Sequence, residues 1–98
     1  MIEPTVGRIV WYRPSEQDRE IMVIQGDQPL AAVVAYVWNS ERVNLTVFDH
    51  TGAYFPRSSI VLNQSDRPCT ASPSCEWMPY QKGQAAKYEA LEREKSNA

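Results

Sequence analysis

The stretch AAVVAYVWNSERVNLTVFD, Ala31 to Asp49, decides how this chain is read. Two apolar runs flank the polar connector Asn39-Ser40-Glu41-Arg42, as in two strands joined by a turn. Leu30 to Trp38 is nearly continuous in apolar residues and reads as a central strand covered on both faces. Val43 to Asp49 alternates, with Val43, Leu45 and Val47 on an apolar face and Asn44, Thr46 and Phe48 on a mixed one. A binding function of this hairpin belongs on the mixed face, with Trp38 at its edge.

Working outward, Gly7 to Tyr12 is β-branched and aromatic and reads as a first strand that Arg13-Pro14 ends. Ser15, with Asp18 at the third helical position, can cap a short helical turn. Ile21 to Ile24 fits either a short strand or an apolar loop segment. Gly26 to Pro29 is a turn, and Asp49-His-Thr-Gly52 is a second one, leading into Ala53-Tyr-Phe. Pro56 interrupts, and Ser58 to Leu62 resumes as a strand or as the second half of a bulged one. Asn63 to Ser74 reads as an exposed loop, and Glu76 to Tyr80 as a short edge strand. From Gln84 to about Lys95 the composition is strongly helical.

The fold expected is mainly β: a small SH3-like antiparallel barrel of four to five strands with a C-terminal α-helix. Residues 1–80 make the barrel, and residues 81–98 the helix and a tail that frays. A split-sheet α+β fold is the rival. On the helix, Ala85, Tyr88 and Leu91 form a narrow apolar stripe that packs on the barrel or on a second subunit. Glu89 and Arg93 are spaced to pair along its solvated face.

Bulk properties narrow the function classes. Ninety-eight residues suffice for one core. A net charge of −2 argues against gripping a nucleic-acid backbone, although Arg8, Arg13 and Arg57 lie near aromatics and can bind a small anion. No apolar run approaches the roughly eighteen residues of a membrane span, and no signal peptide opens the chain, so a cytoplasmic protein is expected. Cys69 and Cys75 are the only cysteines, and His50 alone can join them, too few for a structural zinc site. They read as free thiols in or near a loop. No nucleophile elbow, P-loop or HExxH motif occurs, and all four glycines are isolated, so neither catalysis nor a cofactor is expected.

Four segments together carry a family resemblance: PTVGRIVWYRPS, QPLAAVVAYVW, VNLTVFDHTG followed by Ser58-Ser59, and CEWMPYQKGQAAKYEAL. From Pro4 to about Leu91 the chain resembles a family of small bacteriophage and prophage proteins, whose pattern centres on Pro4, Gly7, Arg8, Trp38, Asn44, Phe48, Gly52 and Trp77. The resemblance implies phage origin and action in the host bacterial cytoplasm, and carries no defined activity with it. By analogy of size and context, such proteins often counter host defences, some by sequestering nucleotide-derived immune signals as homo-oligomers.

The candidate ligand-binding residues are Arg8, Tyr12, Trp38, Asn44, Phe48, Trp77 and Tyr80. Aromatic faces stack on bases and an Arg fork grips phosphate, so the ligand expected is small and nucleotide-like. The competing reading makes Trp11, Trp38 and Phe48 barrel core and has Asn44 satisfy an exposed edge backbone. The function expected is a non-enzymatic phage accessory protein that captures such a signal or blocks a host defence protein. The alternative is a virion or assembly protein.

Overall fold

A computed structural model describes residues 1–96, with side chains described as far as Glu92. The chain forms β1 (Ile9–Arg13), α1 (Glu16–Ile21), β2 (Leu30–Asn39), β3 (Arg42–Phe48), β4 (Tyr54–Asn63), β5 (Ser74–Glu76) and α2 (Pro79–Ser96). The five strands close into a barrel in the order β1-β2-β3-β4-β5. Four ladders are antiparallel, and the closing β4–β5 ladder is parallel because the loop after β4 carries the chain back before β5 begins. A small β-barrel with a C-terminal helix is therefore the fold.

Alternation builds the core. Val10 and Tyr12 of β1, Leu30, Ala32 and Val34 of β2, Val43, Leu45 and Val47 of β3, and Ile60 and Leu62 of β4 are all buried. Each large aliphatic among them contributes about 1.5–3 kcal/mol by leaving water. Trp77 and Cys75 plug the closing side, Trp77 being 1% exposed. The Trp77 indole N–H donates to Gln64 Oε1 at 3.1 Å, which satisfies its one buried donor.

Ser15 caps α1 as its sequence promised. Its hydroxyl accepts from the Asp18 N–H at 3.2 Å, and the Asp18 carboxylate accepts from the Ser15 N–H at 3.1 Å. Ile21 ends that helix, and Met22 to Ile24 is a loop segment whose Met22 enters the core. Gly52, at φ 91°, supplies the left-handed turn between β3 and β4.

Several expectations are corrected. β2 is covered on one face only: Ala31, Ala35, Tyr36 and Trp38 are exposed. Among the described residues no second layer packs on that side, and the small Ala residues kept its composition apolar without needing cover. β5 joins two strands and is not an edge, and α2 starts at Pro79, where a missing N–H costs nothing. The apolar stripe of α2 does not pack on the barrel, since Ala85 alone is half-buried while Tyr88 and Leu91 are exposed. Both cysteines are free as expected, Cys75 lying in the three-residue β5 next to the loop, where burial pushes its thiol up to about 12. Fraying is expected past Lys95, but Ser96 still belongs to α2, while residues 97–98 and the pairing of Glu89 with Arg93 lie outside the described residues.

Asp49 knots the β3–β4 turn to the segment before β2. Its Oδ1 accepts from the Thr51 hydroxyl at 2.6 Å and the Thr51 N–H at 2.8 Å, while its Oδ2 accepts from the Val23 N–H at 3.1 Å. These bonds, led by that of the Thr51 hydroxyl, lower its carboxyl to about 2. A carboxylate lowered in the folded state stabilises above its unfolded value near pH 4, and that contribution is lost as pH falls towards the folded value. We expect the urea midpoint to drop steeply between about pH 4 and pH 2, and Asp49→Asn to flatten the drop. An acid limb equally steep in Asp49→Asn would show that other groups carry it.

Candidate functional site

The seven candidate residues do not converge. Tyr12 and Trp77 are 0% and 1% exposed, so both belong to the core, and Trp77 also lines a cavity of about 160 Å³ with Ile2, Gln64 and Ala85. The Tyr12 hydroxyl donates to Asp18 Oδ2 at 2.5 Å inside the barrel wall. Arg8 lies over the Trp77 ring at 5.7 Å, stacking on the core tryptophan. Arg13 and Arg57 likewise stack on Trp11 and Phe55, at 6.0 and 5.9 Å. Phe48 is half-buried on the outer face, in a register row with Ala31 and Tyr54. Tyr80 is exposed on α2. The placement of Trp11, Trp38 and Phe48 as barrel core is also corrected, since none of the three is buried.

Trp38 and Asn44 do meet, and two bulges bring this about. Inward alternation through Leu30, Ala32 and Val34 would carry Tyr36 and Trp38 into the core. The β2–β3 register slips between Val34 and Tyr36, and again between Val37 and Asn39. The first slip reverses parity, so Tyr36 turns outward, and Trp38 falls at the second. On the other flank, β4 carries an irregularity opposite Asn44, where Ser59 takes φ 54°. That is a left-handed conformation costly for a residue with a Cβ, and its surroundings hold it there.

Asn44 is that hold. Its Oδ1 accepts the Ser59 N–H at 2.7 Å and the Trp38 indole N–H at 2.9 Å, joining the second β2 slip to the β4 irregularity through one side chain. Trp38 is 59% exposed yet fixed in orientation, and the Tyr36 ring meets it edge-on with centroids 4.8 Å apart. The Arg42 guanidinium donates to Ser59 O at 3.2 Å, which puts a cation on the same linked cluster. The arrangement offers an oriented aromatic platform with a guanidinium on the same hydrogen-bonded cluster, suited to stacking on a flat ring and contacting an anion. Tyr36, Arg42 and Ser59 complete it. Arg42 reads as turn in the sequence, and Tyr36 as buried strand, so neither signalled a site.

His50 and Asp18 are tied up in structure. His50 Nδ1 accepts the Gln25 N–H at 2.8 Å, and its Nε2 lies 3.4 Å from Pro29 O, so both ring nitrogens face backbone. Asp18 is held by the Tyr12 hydroxyl and by Arg57, whose Nε and Nη2 reach its Oδ1 at 3.1 and 2.8 Å. Burial opposes ionisation of Asp18, but hydrogen bonds from Tyr12, Ser15 and Arg57 and the Arg57 charge together hold its carboxyl below the usual range. Burial, then the Asp18 carboxylate, pushes the Tyr12 phenol upward, so it stays protonated. Among the described residues no three His, Cys, Asp or Glu side chains are grouped to hold a metal, and no helix is long and apolar enough to cross a membrane. Comparison with family models, with curated proteins and with solved structures yields no match.

Proposed function

We propose that this protein is a non-catalytic phage accessory module that captures a nucleotide-like ligand on the Trp38 platform. It acts as a counter-defence factor in the host bacterial cytoplasm, working as a homo-oligomer that sequesters an immune signal. The carrying observation is the exposed indole locked by Asn44 between two bulges, with Arg42 on the same cluster. A tryptophan kept in water yet oriented leaves apolar surface exposed, which stacking on a ligand ring buries, and its side-chain freedom is already lost before binding. Phage origin rests on the four-segment resemblance. The non-catalytic reading is supported by His50 and Asp18 being committed to structural hydrogen bonds and by the buried Cys75.

Calorimetric titration with a panel of cyclic and linear nucleotides tests this reading. Trp38→Ala is expected to weaken the best binder by roughly 5- to 150-fold, from the loss of about 1–3 kcal/mol of stacking, with the melting temperature nearly unchanged. Asn44→Ala should weaken it too by freeing the indole. Absence of binding heat with every nucleotide sinks the proposal. Blocking of a host defence protein then becomes the stronger use of the same face. A virion or assembly role is favoured instead by the exposed Tyr88 and Leu91 on α2, which an assembly partner can cover. Detection of the protein in purified particles by mass spectrometry would establish it.

A further inference from the structure

A cavity of about 500 Å³ opens between β1, β5, the loop that joins β4 to β5, and the start of α2. Three cations from three different segments line it: Arg13 of β1, Arg67 of the loop and Lys82 of α2. Two carboxylates accompany them. Arg13 Nε lies 2.7 Å from Glu76 Oε1, and Lys82 Nζ lies 3.4 Å from Asp66 Oδ1. The Asp66 side chain is 96% exposed, so the second pair is weak and exchangeable. Among the described residues the Arg67 side chain has no ion pair and no hydrogen bond. The cavity thus holds an uncommitted guanidinium and an excess of positive charge on a chain whose net charge is −2.

The loop wall is built without a ligand. Asn63 Nδ2 donates to Arg67 O at 2.8 Å, and the Ser65 N–H and hydroxyl donate to Asn63 Oδ1 at 3.0 and 2.9 Å. The Arg67 N–H in turn donates to the Ser65 hydroxyl at 3.2 Å. These bonds fix the backbone from which the Arg67 side chain extends, so little ordering is left for a ligand to impose. Thr70 and Ser72 add hydroxyls to the lining.

We propose that this cavity binds a small molecule through a phosphoryl group, with Arg67 as the anchor and Lys82 and Arg13 as supporting cations. A phosphoryl group accepts several charge-assisted hydrogen bonds from different directions, which donors on three segments can supply, and a guanidinium fork grips two of its oxygens. The volume falls within the range of small-molecule sites, about 300–1,000 Å³. This site is separate from the Trp38 platform, and neither depends on the other.

Inorganic pyrophosphate is the probe, titrated into the full chain at low salt by calorimetry and followed by amide chemical shifts. Saturable binding is expected, with shifts concentrated in residues 63–74. Arg67→Ala should weaken it at least tenfold and Lys82→Gln severalfold, and both variants should melt like the parent because neither side chain supports the core. Arg19→Ala, which removes an equal charge from exposed α1, should bind as the parent does. The proposal is overturned by absence of binding heat at millimolar pyrophosphate. It is overturned equally if Arg67→Ala matches the parent, or if Arg19→Ala weakens binding as much as Arg67→Ala.

Discussion

Replacing Asp18 with alanine should be among the most damaging single changes to this protein. Asp18 is 5% exposed and takes the Tyr12 hydroxyl on one oxygen and the Arg57 guanidinium on the other. It also closes the capping box with Ser15. Removing it strands a buried phenol and a largely buried cation, and breaking a buried pair from one side costs about 3–5 kcal/mol. For a domain of this size each kcal/mol lowers the melting point by about 4–8 °C, so a fall of more than about 12 °C is expected in a thermal melt. The exposed Arg13–Glu76 pair makes the control, because Arg13→Ala should cost no more than about 1 kcal/mol. A melting point for Asp18→Ala within a few degrees of the parent would show that the triad does not hold the barrel wall.

Trp77→Ala is the second large loss. Trp77 is the largest of the fully buried side chains, and truncating it leaves a cavity in the buried core cluster. Such deletions cost about 3–5 kcal/mol. Gln64 Oε1 also loses its indole donor, keeping only the long 3.4 Å contact from the Ile2 N–H. Trp38→Ala should change stability by less than about 1 kcal/mol, since its ring is mostly in water already. Urea denaturation of the two variants side by side measures the contrast. Equal losses would mean that the two tryptophans share one environment, against the burial described here.

That contrast marks how far the residues could be read in advance. Along the chain, Trp38 and Trp77 are both aromatic residues near polar neighbours, and both qualified for a ligand site. The strict alternation of Val43, Leu45 and Val47 was legible because period two alone puts them on one face. The Ser15 cap was legible because its partner, Asp18, is three residues away. The Asp18–Arg57 pair spans 39 positions, and nothing local signals it. The Trp38–Asn44 contact was half legible: both residues stood out, but their meeting depends on where β2 and β4 gain an extra residue.

Local preference thus marks out strands, turns and the C-terminal helix, since β-branched runs, capping residues and turn chemistry act over a few bonds. Barrel closure decides the rest. It buries Tyr12 and Trp77, leaves Trp38 in water, and gathers Arg13, Arg67 and Lys82 around one cavity. The physical reason is that a single slip in register reverses which face every later side chain takes, and the slip is set by ladder hydrogen bonds to a distant strand.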